Sequence, residues 1–327
     1  MWPELLDVLR EPHSEARLDL EGAETDGERI LRGHLVSRPT GRVYPIIDGV
    51  PRFVPNEGYT GSFGMQWNLF SATQLDSTTR TDHSQRRFDA EVGWSAGDLR
   101  DGWTLEGGCG AGRFVEVVAG HGGRIVALDY SRSIHTIARE FHEDRNVHPV
   151  QADVLLPPIA SRSIDRVYSI GVLQHTEEPY LAMMSLLRLC RSGGRFAFVA
   201  YARRWYTPLY AKYLIRPLTK RVPATVLLAA IRATMPVLFP LSEWLFERPG
   251  VGRIARFVLP VANYPNKQGF DRHQRYEEAV LDTFDMLAPA YDQPLRPRVV
   301  RSLLEKSAVT DLNMVSDVPI VVRGTVL

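Results

Sequence analysis

Leu105-Glu106-Gly107-Gly108-Cys109-Gly110-Ala111-Gly112-Arg113-Phe114 is the stretch on which the fold turns. Before it, WTLEG reads as a short strand; after it, the run GAGRFVEVVAGH reads as a helix start. A glycine-dense turn between strand and helix presents backbone N–H groups and a helix N-terminus to a polar ligand. Gly108, Gly110 and Gly112 let the backbone turn sharply and approach that ligand with no Cβ in the way. The dinucleotide fingerprint G-x-G-x-x-G fails here: counted from Gly108 its third glycine is Arg113, and counted from Gly110 it is Val115. The phosphate-binding G-x-x-x-x-G-K-[ST] pattern is absent too. What remains is an acidic residue at a strand end, then x-G-x-G-x-G. A carboxylate at Glu106 would repel a pyrophosphate but suits a ligand that carries an ammonium and a sulfonium.

Outward from this loop the chain alternates strand and helix. RIVALD (124–129), VHPVQAD (147–153), IDRVYSIGV (164–172) and GRFAFVAY (194–201) read as strands. SRSIHTIAREFHED (131–144) and YLAMMSLLRLC (180–190) read as helices between them. This spacing predicts an α/β, Rossmann-like parallel sheet covered on both faces. Near the end, VVRSLLEKS reads as a helix, and DLNMVSDV and IVVRGTV as two strands added antiparallel to the sheet. Asp129 ends the second strand seventeen residues after Gly112, where a carboxylate can accept both hydroxyls of a ribose. It could equally cap the helix that follows Ser131. Asp153, after the third strand, can accept from an adenine amino group or simply close a surface turn. Three acidic groups at the ends of successive strands favour a nucleoside site over three unrelated turns.

The flanks divide the chain further. Residues 1–55 form short elements ending in GRVYPIIDGVPRFVP, a small β ribbon. Residues 56–100 are polar and aromatic, read as an N-terminal helical lid. Residues 101–201 are the ligand-binding core, 202–275 a basic helical insertion after the fifth strand, and 276–327 the helix and strands that complete the core. The whole is 327 residues with net charge +1 and 44% hydrophobic residues, ordinary values for a globular protein. No overall basic excess marks nucleic acid as the main partner. Two cysteines, Cys109 and Cys190, supply neither a disulfide framework nor a thiolate metal site, which fits a reducing, cytoplasmic setting. The acidic, proline-broken N-terminus lacks the profile of a signal peptide. Val222–Phe246 is apolar but holds Pro223, Pro236, Pro240 and Arg232. That composition predicts two kinked helices, buried or at an interface, and not a membrane span.

LEGGCGAGRF, VALDYS, QAD and IDRVYSIGVLQH resemble the successive motifs of class I S-adenosylmethionine-dependent methyltransferases, closest to the ubiquinone/menaquinone-type methyltransferase domain 11 group. The resemblance covers roughly Trp103 to Tyr201 and implies S-adenosyl-L-methionine as cofactor. It implies that Glu106, Gly108, Gly110 and Gly112 bind the methionine part of the donor. Asp129 and Tyr130 would hold the ribose and flank the adenine, Asp153 and Val154 would meet the adenine edge, and Ser169 and Ile170 would lie beneath the sulfonium. Glu106 stands where Asp is more usual. FGMQW, TQLDS, RRF, RRWY and LDTFDMLAPAYD resemble a bacterial subgroup whose catalytic domain follows a ribbon similar to the zinc-ribbon-like activator of tRNA methyltransferases. YPIIDGVPRFVP matches that ribbon's end, but His34, Ser37 and Thr40 stand where thiolates are expected. Tetrahedral zinc needs Cys or His donors, so the expectation is a degenerate ribbon and no metal ligands.

Methyl transfer from a sulfonium is an in-line displacement that asks mainly for alignment and exclusion of water. A hydroxyl, amine or acidic-carbon acceptor also needs a base. His175, in VLQHTEEP after the fourth strand, is the candidate, with a loop histidine bonded to Glu177 or Glu178 as the alternative. Gln66, Trp67 and Arg87 are candidates for a lid over a cationic donor, with Trp67 and Phe70 as core anchors otherwise. Tyr291 either lines the acceptor pocket or packs. Cys109 reads as a small buried filler of the tight turn. The acceptor is expected to be a small molecule or a lipid- or glycan-linked group, with O-, N- or C-methylation open. Methylation of tRNA or rRNA and a catalytically silent methyltransferase-fold partner protein are the alternatives; a nicotinamide oxidoreductase is disfavoured by Arg113. Between Tyr201 and Arg275 thirteen Lys/Arg face three Asp/Glu, so this segment carries +10 in a chain totalling +1. The expectation is an acceptor cap whose basic amphipathic helices either contact an anionic membrane peripherally, at the inner face, or face water.

Overall fold

The computed structural model describes residues 1–54, 75–265 and 269–327. The candidates Gln66 and Trp67, and the alternative anchor Phe70, lie outside the described residues. The chain divides into two compact units: Met1–Gly58, His83–Ala202 and Tyr291–Leu327 form the first, Tyr59–Asp82 and Arg203–Ala290 the second.

The first unit holds two sheets. Strands β1 (Asp19–Asp26), β2 (Arg29–Val36), β3 (Val43–Ile47) and β4 (Val50–Pro51) form an antiparallel N-terminal sheet in that order. The other sheet has seven strands: β5 (Trp103–Gly107), β6 (Arg124–Asp129), β7 (Val147–Gln151), β8 (Ile164–Ile170), β9 (Cys190–Ala200), β10 (Val309–Asp317) and β11 (Ile320–Val326). Their order is β10-β11-β9-β8-β5-β6-β7, with β5 to β9 parallel and β11 antiparallel to β9. This is the Rossmann-like arrangement the alternation predicted, with the antiparallel C-terminal hairpin in place. The chain steps from β5 outward to β7, then returns to place β8 on the other side of β5. That reversal opens a crevice at the carboxyl end of β5, where the glycine loop begins.

Fully buried Leu105, Val126, Leu128, Val150 and Val167 are parallel-sheet positions covered on both faces. On one face their core continues into Met1, Leu5, Leu9, Ile30, Leu35 and Ile46, so the N-terminal segment shares the core of the large sheet. Glu11 braces this segment internally. Its buried carboxylate accepts from Ser14 N and Oγ at 2.6 Å, from Tyr44 Oη at 2.7 Å and from Arg42 Nη1 at 2.9 Å. Burial alone would raise its pKa, but these donors outweigh that and hold it at about 2. Among the described residues no three His, Cys, Asp or Glu side chains gather where a metal ion could sit.

Two expectations for the flanks change. Residues 56–100 are expected to form a lid, yet the helix His83–Glu91 belongs to the first unit and buries Phe88 completely between Trp94, Phe114 and Tyr168. One apolar face among polar residues is enough to make this helix part of the core. The insertion extends to Ala290 and does not stop at 275, because the helix Arg272–Leu287 buries Ala279, Val280, Phe284 and Leu287 in the second unit's own core.

The second unit is helical. Ala211–Thr219, Ala224–Phe246, Val251–Val258 and Arg272–Leu287 pack around Leu228, Ile231, Met235, Phe239, Leu281 and Phe284. In place of the two kinked helices expected over Val222–Phe246, one helix of 23 residues runs through both Pro236 and Pro240. The two prolines lie one turn apart, so the missing hydrogen bonds fall on one side and the rest of the ladder carries on. Pro236, Phe239, Pro240, Arg272, His273 and Tyr276 line an open recess of about 390 Å³ within this unit.

Candidate functional site

The carboxyl ends of three adjacent parallel strands bring Glu106, Asp129 and the turn at Asp153 together with the glycine loop. Gly108 has φ +81°, and a Cβ there would stand 2.3 Å from Val172 Cγ1, so only glycine fits. Gly110 and Gly112 also have positive φ, and Gly112 caps the helix Arg113–Gly120, whose N-terminus faces the loop. Gly108 N and Cys109 N donate to Leu128 O, tying the loop to the end of β6. The buried Cys109 thiol fills the turn, and burial pushes its pKa well up.

Glu106 pairs in register with Tyr168 of β8, and its Oε2 accepts from the Tyr168 hydroxyl at 3.0 Å. Both side chains are buried. Burial pushes the Glu106 carboxyl up to about 8; the nearby Asp129 carboxyl adds to this, and the Tyr168 hydrogen bond and Arg113 oppose it. Burial thus favours the protonated form of Glu106, where the sequence alone suggested a standing carboxylate. The Tyr168 phenol is driven well above its ordinary range by burial and by Glu106.

Asp129 is engaged on both oxygens. Oδ2 accepts from Gly110 N at 2.8 Å, while Oδ1 accepts from Ser131 N at 2.8 Å and Ser131 Oγ at 2.7 Å. It thus closes a local turn, as the bland reading held, and also anchors the glycine loop. Oδ1 is thus filled by two donors, while Oδ2 keeps a second lone pair for another donor. Burial raises its pKa, against those three hydrogen bonds. Asp153 likewise accepts from Leu155 N at 2.8 Å, and burial raises its carboxyl as well. Tyr130 is half-buried, and its phenol is raised by burial and then by Asp153, which places the two side chains in one electrostatic neighbourhood. Val154 is buried.

Ser169 and Ile170 lie at the end of β8, both buried; the Ser169 hydroxyl donates to Gly107 O at 2.7 Å and so braces the strand end beside the loop. Arg87 does not reach the strand ends by any described hydrogen bond. Its Nε bonds Glu91 one turn along the same helix at 2.9 Å, and its guanidinium lies 5.6 Å from the centre of the Phe114 ring.

His175 sits in a short 3₁₀ turn, Leu173–His175, directly after β8. The imidazole is buried, stands edge-on to Tyr201 with ring centres 5.7 Å apart, and its Nδ1 is 3.0 Å from Tyr291 O. A carbonyl can only accept, so Nδ1 carries the hydrogen, and in the neutral ring Nε2 is the basic nitrogen. Tyr291 thus contributes its main chain to this histidine. Gln293 reinforces the same clamp: its N donates to Gln174 O at 2.7 Å, and its Nε2 donates to Glu177 O at 2.8 Å. Gln174 in turn donates to Gly171 O at 2.6 Å.

The methyltransferase domain family matches residues 105–198. These residues form a class I methyltransferase domain. Over 134 residues the chain is 31% identical to an uncharacterised chloroplastic methyltransferase of Arabidopsis thaliana, 38% of this chain and 37% of that one. It is 25% identical over 128 residues to a ubiquinone biosynthesis O-methyltransferase of Coxiella burnetii, 37% of this chain and 55% of the relative. It is 34% identical over 98 residues to a malonyl-[acyl-carrier protein] O-methyltransferase of Enterobacter lignolyticus, 30% and 38% of the two chains. The chain thus spans roughly 37–55% of the length of these relatives.

Within the methyltransferase domain, sequence reasoning missed Tyr168 and Gln174, and outside it Gln293. Tyr168 carried a signal: a polar-tipped aromatic in a strand otherwise buried needs a partner for its hydroxyl. Gln293 carried none, because its bonds to Gln174, Thr176 and Glu177 cross more than a hundred residues of chain.

Proposed function

We propose that this protein is an S-adenosylmethionine-dependent methyltransferase acting on a hydroxyl of a small molecule, free or carried on a lipid or glycan. The observation that supports this reading most is the set of carboxyls, Glu106, Asp129 and Asp153, at the ends of three neighbouring strands around a loop that tolerates only glycine at position 108. The set fits the donor chemically. Glu106 is a buried acid that a cationic ligand would ionise, and the loop leaves backbone space where a side chain would stand. When bound, the donor supplies a methyl group already activated by its sulfonium charge.

In this reading Glu106 and the backbone of Gly108, Gly110 and Gly112 hold the donor's methionine end. Asp129 accepts from a ribose hydroxyl on the remaining lone pair of Oδ2, with Tyr130 beside the adenine and Asp153 and Val154 at its edge. Ser169 and Ile170 form the wall beneath the reacting sulfur. His175 takes the acceptor's proton at Nε2, while Nδ1–H, given to Tyr291 O, fixes the tautomer. A hydroxyl acceptor requires such a base, and one of the relatives is named a ubiquinone biosynthesis O-methyltransferase. The insertion leaves the sheet after β9 and returns through the bridge between Ala202 and Leu295. Its origin at the carboxyl end of a parallel strand supports a role in acceptor recognition.

Two measurements test the proposal together. Calorimetry should show binding of S-adenosylmethionine and none of NAD. An untargeted mass-spectrometric search of cell extract, incubated with enzyme and donor, should find a compound heavier by one methyl group. Binding of NAD in preference to the methyl donor would sink it.

A further inference from the structure

The second unit turns apolar side chains outward. On the helix Ala224–Phe246, Val226, Ala230, Ala233, Val237, Leu241 and Trp244 are all exposed, at spacings of four, three, four, four and three. At about 100° per residue they fall on one continuous stripe. The opposite face, Leu227, Leu228, Ile231, Met235, Phe239 and Phe246, is the one buried in the unit. Val237 is 69% exposed and Trp244 55%. This is the one helix among the described residues long and apolar enough to cross a membrane, yet its inner face is already used in packing.

Its neighbours repeat the inversion. In Ala211–Thr219 the charged Arg216 is buried and donates to Met286 O and Pro289 O, while Leu214 and Leu218 are 66% and 69% exposed. In Val251–Val258 the small Gly252 and Ala255 are buried, and Val251, Ile254 and Val258 are exposed at spacings of three and four. Trp205, 85% exposed, begins an aromatic chain through Tyr206 and Tyr210 to Phe257 on that last helix.

We infer that the second unit docks on an anionic lipid bilayer, laying the Val226–Trp244 stripe in the interface. Charge selects this occupant. The segment from Tyr201 to Arg275 carries +10, and of its three acids Glu243 is already paired by Arg275 at 2.7 Å. With the acids of Tyr59–Asp82 and of residues 276–290 included, the second unit carries +5, so a second copy docking through the same face would bring like charge against like charge. A nucleic acid would meet the charge but leave the stripe without an apolar partner. An anionic bilayer offers both, with headgroups for Lys and Arg and an acyl boundary for Val, Leu and Trp. The Arg248 guanidinium lies 3.6 Å from the centre of the Trp244 ring, a basic and aromatic pair suited to headgroup depth.

The test is flotation of the full chain with phosphatidylserine/phosphatidylcholine vesicles and with pure phosphatidylcholine vesicles, at low and high salt. Binding is expected on the anionic vesicles at low salt, falling about tenfold or more at high salt, with little on phosphatidylcholine. Val237→Glu with Leu241→Glu should lower the partition by about tenfold or more, with helicity and melting temperature unchanged, since both positions are exposed. Should that variant unfold, the wild-type protein still decides: brominated lipid should quench its fluorescence, and Trp244→Phe should lose most of that quenching. Failure of wild type to float with anionic vesicles at low salt would overturn the inference. So would a folded stripe variant that floats as well as wild type, or a dimer that the variant dissolves while no vesicle binds. None of these readouts uses the methyl donor, so failure here and failure of the methyltransferase reading are separable.

Discussion

Glu106 shows what a residue letter does and does not convey. Its acidity and its place at a strand end were legible in the sequence; its protonation was not, because that depends on burial and on Tyr168, sixty-two residues away. A ligand cation favours the ionised carboxylate, so binding below about pH 8 must expel a proton. Donor affinity is therefore expected to rise with pH, at most tenfold per unit, and to level off above about 8. Glu106→Gln should flatten that rise, and calorimetry in buffers of different ionisation enthalpy should show proton release in wild type only. Asp129→Ala should weaken donor binding about 30- to 150-fold, the worth of roughly 2–3 kcal/mol of charge-assisted contact. Unchanged affinity in that variant would remove Asp129 from the site. His175→Ala should leave donor affinity nearly constant and cut turnover about 10²-fold or more. Loss of donor binding instead would make the His175–Tyr291 contact a structural one. The sequence singled out this histidine by its place after the fourth strand; the carbonyl that sets its tautomer comes from beyond a long insertion and left no local trace.

Periodicity carried the elements well where burial was regular. β5 to β9 emerged from short apolar runs because both faces of a parallel sheet are covered, and the C-terminal hairpin from the alternation in DLNMVSDV and IVVRGTV. It failed over Val222–Phe246, where each proline read as a break but the tertiary packing of Leu228, Met235 and Phe239 holds one helix across both. It also undervalued the N-terminal sheet, where one buried acid, Glu11, ties the loop that follows Leu9 to Arg42 and Tyr44. Glu11 is held at about 2 against an ordinary value near 4.5. A depressed carboxyl contributes stability above its unfolded value and loses it as pH falls toward the folded one. The tie between the Glu11 loop and Arg42 and Tyr44 should therefore weaken between about pH 4.5 and 2. Glu11→Gln should cost about 1–3 kcal/mol at neutral pH, since Arg42 and the Ser14 donors would lose a charged acceptor. Hydrogen exchange confined to β1–β4 would report it; uniform protection in the variant would show that the apolar contacts of Leu5, Leu9 and Leu35 suffice alone.

At the scale of the molecule, charge asymmetry is legible in the sequence, and the division into two units keeps part of it, with +5 on the second unit and −4 on the first. The basic segment lies almost entirely in the second unit, whose core of Leu228, Ile231, Met235, Phe239, Leu281 and Phe284 belongs wholly to it. The donor-site candidates among the described residues belong to the first unit. A ligand stabilises only the state that binds it, by about 2.7 kcal/mol at a concentration one hundred times its dissociation constant. For a unit of this size, one kcal/mol moves a melting temperature by about 2–4 °C. Differential scanning calorimetry should therefore resolve two transitions, and saturating S-adenosylmethionine should raise one of them by about 5–10 °C and leave the other in place. Val237→Glu with Leu241→Glu lies on the exposed face of the second unit's helix and should leave the donor-sensitive transition unmoved. A single transition that the donor shifts as a whole would mean that the two cores melt as one, and that the insertion shares the stability of the site it interrupts.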